Sequence, residues 1–67
     1  MIKVNFEQIG VGTTLKDLCG NMMMVVERQE DHAILKYIHE DGELSRGSVF
    51  AVPSHFNDWT IVNLRVR

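Results

Sequence analysis

The chain has 67 residues, of which 45% are hydrophobic, and its formal net charge is −2. This length and apolar content predict one small globular domain over residues 1–67 and exclude a disordered chain. The longest apolar run, Met22 to Val26, is far shorter than the roughly 20 residues of a membrane helix. We therefore expect no membrane association.

Short alternating segments predict β-strands in the first half of the chain. "IKVNF" alternates cleanly, with Ile2, Val4 and Phe6 on one face, and "GVGTTL" predicts a bend that enters a short strand. The turn residues Cys19–Asn21 separate it from "MMMVVER", which predicts another strand.

The second half continues this pattern of short strands. "AILKYIH" predicts a strand, and Asp41-Gly42 predicts a tight hairpin turn because both residues tolerate positive φ. "RGSVFAV" predicts a strand that Pro53 ends, since proline has no N–H for the ladder. A single helical turn at Ser54–Phe56 then precedes "WTIVNLRV". Five to six short antiparallel strands with one helical turn before the last predict an all-β small barrel.

The turn before the last strand resembles that of SH3-like barrels. Members of that family often carry a Pro-Ser-x-aromatic turn there, and this chain has Pro53, Ser54 and Phe56. The chain lacks the N-terminal aromatic motif and the mid-domain tryptophan of the peptide-binding members. The resemblance therefore implies an SH3-like fold without implying a proline-rich ligand.

A second resemblance covers residues 11–56. The glycine-led first strand, "GNMMMVV", the mid-domain strand, the acidic "EDG" turn and the following aromatic strand are similar to YodC-like small bacterial proteins. That family has no settled activity. The similarity implies a fold and supplies no catalytic residues.

Several predicted strands are apolar on both faces, which is unusual for a half-exposed strand. In the last strand, Trp59 and Ile61 lie opposite a mostly apolar set. That set comprises Thr60, Val62, Leu64 and Val66. Either a bulge changes the facing of a strand so that both sets serve the core, or the surplus forms a patch that a second copy or another protein covers. We favour the patch because the surplus recurs on three strands, and we expect Trp59 and Ile61 to be its contact residues.

The charge of the chain is unevenly distributed. Between Asp17 and Glu43 there are seven acidic and two basic residues, and from Leu44 onward there are three basic and one acidic. Five of the acids fall at two predicted turns: Glu30, Asp31, Glu40, Asp41 and Glu43. If these turns are adjacent, they form a negative surface that attracts a basic partner. The alternative is that they only solubilise the turns.

Two further groups of residues have alternative interpretations. The methionines Met22, Met23 and Met24 could form an adaptable contact surface, or one or two of them could fill the core. The possible metal ligands and nucleophiles lack the close spacing of a zinc site or a catalytic pair. They are Cys19, His32, His39 and His55. We therefore expect no metal, no cofactor and no catalysis.

These observations predict a small cytoplasmic protein that binds another protein. Its expected role is that of a regulator or inhibitor of a larger protein or complex, of the kind that phages and mobile elements encode. One alternative is nucleic-acid binding through Arg46, Arg65, Arg67 and the aromatic residues, although three arginines against nine acids are a weak basic surface. The other is a structural homo-oligomer built on the apolar face.

Overall fold

A computed structural model describes residues 5–66 of the chain. Within this range the chain forms five strands: β1 (Thr14–Lys16), β2 (Met22–Arg28), β3 (Ala33–Tyr37), β4 (Val49–Ala51) and β5 (Thr60–Asn63). A 3₁₀ turn at Phe6–Gln8 precedes β1, and a 3₁₀ helix at Pro53–Asp58 connects β4 to β5. The predicted all-β domain with one helical turn before its last strand is confirmed.

The strands form a single antiparallel sheet in the order β4-β3-β2-β1-β5. β4 and β5 are its edge strands, and the pairings within residues 5–66 leave the sheet open between them. The pairing of β1 with β5 joins the two ends of the domain. Consecutive strands pair elsewhere, so short local connections build most of the sheet.

Two turns depend on an aspartate and a glycine. Asp17 Oδ1 accepts hydrogen bonds from the backbone N–H groups of Cys19 and Asn21, each 2.9 Å long, in the turn between β1 and β2. At the other turn, Asp41 Oδ1 accepts a 2.9 Å hydrogen bond from the N–H of Glu43, and Gly42 has a φ of 89°. Asp41 itself does not adopt positive φ, so glycine alone takes the left-handed conformation expected of both residues.

The N-terminal segment differs from its prediction at Asn5 and Phe6. The side chain of Asn5 accepts a 3.1 Å hydrogen bond from the N–H of Glu7 and caps the first 3₁₀ turn, which contains Phe6. A predicted strand over residues 2–6 therefore does not extend through Asn5, because this side chain offers the backbone a competing hydrogen bond. Residues 2–4 of that prediction lie outside the described range.

One face of the sheet and the two 3₁₀ segments enclose the core. Its buried apolar residues are Phe6, Ile9, Leu15, Met23, Val25, Ala33, Leu35, Ala51 and Phe56. Thr13 is the buried polar residue among residues 5–66, and its hydroxyl bonds to the backbone of Arg65. The core thus joins β1 to the segment that follows β5.

The facing of β5 is the reverse of its prediction. Ile61 lies opposite Leu15, which is fully buried, and Ile61 packs against the core with Trp59. Val62 is 51% exposed and Leu64 is 37% exposed. Alternation alone does not say which of two apolar faces points inward, and the register shift opposite β1 leaves Val62 as an extra residue at a bulge.

Candidate protein-binding surface

The solvent face of β2, β3 and β4 is identified by the strand register. Opposed residues of antiparallel strands share one face of the sheet, and neighbours along a strand alternate between faces. Met24 lies opposite Lys36, and Ile34 lies opposite Phe50. Since the alternate residues of β2 and β3 are buried in the core, these four side chains point away from it.

Six apolar side chains form a continuous surface on this solvent face, which we call the outer patch. They are Met22, Met24, Ile34, Ile38, Leu44 and Phe50. Phe50 is 58% exposed and Leu44 is 39% exposed, while the other four are half-buried by their neighbours. Ile38 continues the row because it forms a bridge with Leu44 and its N–H donates a 2.9 Å hydrogen bond to Met22 O.

The methionine run therefore divides between the core and the surface. Met23 is fully buried, whereas Met22 and Met24 contribute to the outer patch. The bulge in β2 falls after Val25, so it does not turn either outer methionine inward. A change of facing at a bulge does not account for these two residues.

Two charged residues lie within or beside the outer patch. Lys36 lies opposite Met24 and next to Ile34 along the outer face of β3, and Glu27 lies opposite Ile34. Lys36 is half-buried and Glu27 is exposed. Within residues 5–66, neither side chain forms an ion pair.

A histidine covers part of the exposed aromatic ring at the sheet edge. The rings of His32 and Phe50 stack with centroids 4.6 Å apart and planes inclined by 22°. His32 Nδ1 is 2.8 Å from Asp31 Oδ1, and this hydrogen bond lowers the pKa of the Asp31 carboxyl below its ordinary value. The acidic turn is thereby linked to the outer patch.

The two acidic turns lie at opposite ends of β3. Glu30 and Asp31 precede this strand, and Glu40, Asp41 and Glu43 follow it. β3 has five residues, so the turns are separated by at least about 17 Å at 3.4 Å per residue. They do not form one negative surface; each borders one end of the outer patch.

The two contact residues predicted on the last strand, Trp59 and Ile61, pack against the core. The rings of Trp59 and Phe56 meet edge to face with centroids 4.9 Å apart, and Trp59 is half-buried. Ile61 is half-buried opposite Leu15. These packing contacts explain both residues without a partner.

The pairing pattern does not bring together the two described arginines of the nucleic-acid alternative. Arg46 is exposed in the loop before β4, and Arg65 is exposed after β5, while β4 and β5 are opposite edges of the sheet. The stem of Arg65 also packs near Gly12, where an added Cβ would come within 3.2 Å of Arg65 Cγ. Arg67 lies outside the described residues.

A second group of exposed apolar side chains lies near β5. It comprises Val11, Val62, Leu64 and Val66. Val62 is at the bulge, and Val66 makes only an isolated bridge with Ile9. Because no regular ladder aligns these side chains, the outer patch is the better ordered apolar surface.

A depression on the surface lies beside the outer patch. It has a volume of about 370 Å³ and adjoins the outer patch at Ile38. Its other lining residues are Asn21, Tyr37, His39 and Ser45.

In the described part of the chain, no three His, Cys, Asp or Glu side chains converge as possible metal ligands. None of the helical segments in residues 5–66 has the length and hydrophobicity to cross a membrane.

Phe50 and Leu44 were not among the contact residues expected from the sequence. Alternation in "RGSVFAV" could have identified Phe50 as outward-facing, because Phe50 lies between Val49 and the small residue Ala51 and therefore on the opposite face from both. Both neighbours face the core. No comparable signal marked Leu44, whose position depends on its bridge to Ile38.

Comparisons of the chain with protein-family models, with curated proteins and with solved structures gave no match.

Proposed function

We propose that this protein is a non-catalytic module that binds another protein through the outer patch. The observation that carries the proposal is the group of six apolar side chains that share the solvent face of the sheet around Lys36. A contiguous apolar surface with a polar border is typical of protein interaction sites. The inner face of the same strands already supplies the core, so folding alone does not require this composition.

The charges around the outer patch support a partner of mixed chemistry. Acidic turns border both ends, and Lys36 lies between apolar neighbours. A complementary surface would be apolar, with a carboxylate facing Lys36 and basic groups near Asp31 and Asp41. Such complementary charges orient a partner and speed its association.

The biological role that we propose is regulation or inhibition of a larger protein or complex in the cytoplasm. The outer patch offers a binding surface, and among residues 5–66 no three His, Cys, Asp or Glu side chains converge as possible metal ligands. The lone cysteine, Cys19, is exposed and unpaired, which supports a reducing compartment. We further propose that a phage or another mobile element encodes the protein, on the small size of the domain.

The test is affinity capture from a lysate of the source organism with matched variants. Phe50→Asp introduces a charge into the outer patch, and Leu18→Asp makes the same change at an 80% exposed site outside it. We expect Phe50→Asp to lose the captured protein and Leu18→Asp to retain it, with both variants folded by circular dichroism. Equal capture by both variants would remove the outer patch from the proposal.

A salt titration of the captured material separates protein binding from nucleic-acid binding. Contacts with phosphates weaken steeply with salt because counterions are released. Capture that depends on Phe50 and persists at high salt supports protein binding. The nucleic-acid alternative predicts that the captured material contains nucleic acid and that high salt removes it. It also predicts that Arg46→Gln and Arg65→Gln each lose this capture.

A further inference from the structure

The charges in the outer patch form a pattern that is complementary to itself. Four residues occupy the corners of a small rectangle on β2 and β3, with Ile34 opposite Glu27 and Lys36 opposite Met24. Its sides are about 5 Å across the strands and about 7 Å along β3, and its side on β2 contains the extra residue Val26 of the bulge. The apolar residues Ile34 and Met24 occupy one diagonal, and the oppositely charged residues occupy the other.

We infer that a second copy of this chain covers the outer patch in a two-fold symmetric dimer. A two-fold axis lying in the interface close to the Ile34–Met24 diagonal exchanges the two charged corners. Lys36 of each copy then faces Glu27 of the second copy, while Ile34 and Met24 pack near the axis. An interface of this kind must be complementary to itself, and this rectangle satisfies that condition.

The intramolecular contacts leave both charges available for this pairing. Neither Lys36 nor Glu27 forms an ion pair within the described part of the chain, although the strand register makes them diagonal neighbours. Phe50 extends the apolar line to the edge of the sheet, opposite Ile34. The two copies therefore place apolar side chains at the centre and complementary charges on either side.

A dimer would cover only a small share of the exposed surface. The chain exposes 4655 Å². An interface of standard size covers about 800 Å² of each partner, or roughly one sixth of this surface.

This inference deepens the proposed function, on which it rests for the choice of surface. In the absence of another partner, the second copy occupies the outer patch. Binding of that partner then competes with the dimer. The apolar face is consequently covered in both states.

The test is sedimentation equilibrium of the pure protein from micromolar to millimolar concentration. We expect the wild type to dimerise, and we expect Lys36→Glu and Glu27→Lys each to weaken the dimer about a hundredfold, because each places like charges in contact twice. An equimolar mixture of the two variants restores the dimer, since every contact then joins opposite charges. The double variant Lys36→Glu/Glu27→Lys also restores it.

Lys16→Glu is the matched control, because Lys16 lies on the same face opposite Met22 but outside the rectangle. It should dimerise like the wild type. A wild type that is monomeric throughout, a dimer indifferent to both reversals, or a mixture that remains monomeric would overturn the inference. These experiments contain no other protein, so their failure leaves the capture result with Phe50→Asp to decide the proposed function separately.

Discussion

The hydroxyl of Thr13 makes two hydrogen bonds to the backbone of Arg65, 52 residues later in the chain. Thr13 Oγ1 donates a hydrogen bond to the carbonyl of Arg65 and accepts one from its N–H, and each bond is 2.9 Å long. Thr13 is fully buried. One buried side chain thus fastens the segment after β5 to the beginning of the sheet.

Replacing Thr13 should therefore destabilise the domain through the backbone of Arg65. Thr13→Val keeps the volume and leaves the partly buried N–H of Arg65 without its partner, which costs about 2 kcal/mol. The carbonyl of Arg65 loses one of two hydrogen bonds and keeps the 2.7 Å bond from the N–H of Gly10. Thr13→Ser keeps the hydroxyl and should cost about 1 kcal/mol or less, from one lost methyl group. Urea unfolding followed by Trp59 fluorescence measures both. Equal stability of the two variants would contradict the role of the hydroxyl.

Neighbouring methionines should respond differently to the same substitution. Met23 is fully buried, so Met23→Ala leaves a cavity and should cost about 2–4 kcal/mol. Met24 lies on the solvent face, and Met24→Ala should cost about 1 kcal/mol or less in the monomer. Denaturant unfolding at low protein concentration compares them. A larger loss for Met24 would mean that the facing of β2 is reversed.

Trp59 should contribute to stability rather than to capture of a partner. It packs against the core and meets Phe56 edge to face. Trp59→Ala should lower the free energy of unfolding by about 2–3 kcal/mol, because Trp59 is only half-buried. Trp59→Phe should retain most of the free energy of unfolding. Differential scanning calorimetry measures the change, and Trp59→Phe should capture the same protein as the wild type. Loss of capture in a folded Trp59→Phe variant would instead support a contact role.

The pKa of the Asp31 carboxyl should depend on His32. The hydrogen bond from His32 lowers this pKa below 3.8. It therefore stabilises the folded state above about pH 4, and the contribution is lost as the pH falls through the lower folded pKa. In His32→Leu, carboxyl NMR titration should show the pKa of Asp31 moving up towards its ordinary value.

Asp17 provides the control for this titration. The backbone hydrogen bond from Asn21 is the main cause that lowers the pKa of its carboxyl, and no contact with His32 is involved. The pKa of Asp17 should therefore stay unchanged in His32→Leu. A parallel rise at both aspartates would indicate general unfolding rather than loss of one hydrogen bond.

Local residue chemistry made most of the elements predictable. Pro53 cannot continue a ladder, so the end of β4 and the following helical turn could be placed from the sequence. Cys19–Asn21 and Asp41-Gly42 similarly marked two turns, in which Gly20 and Gly42 adopt positive φ. The first predicted strand was wrong at Phe6, because the cap formed by Asn5 depends on a competing local hydrogen bond.

The surplus of apolar residues could also be recognised from the sequence, but its location on the sheet could be predicted only in part. On β3, strict alternation places Ile34 and Ile38 on the face opposite Leu35, and the structure has them there. On β5 it assigned Ile61 to the wrong side, because both sets of alternate residues are apolar and the bulge at Val62 changes the period. Leu44 joined the outer patch only through its pairing with Ile38.

By itself, the sequence determined that this chain forms short strands and at which positions Pro53 and the glycines interrupt them. It also determined that several strands are apolar on both faces, which is more apolar surface than a small core needs. These properties follow from backbone geometry and from the side chains of adjacent residues. The tertiary structure decided which face of each strand is buried, because that depends on its register with distant strands. The pairing of β1 with β5 turned Ile61 inward, and the pairings of β2, β3 and β4 brought the outer patch together.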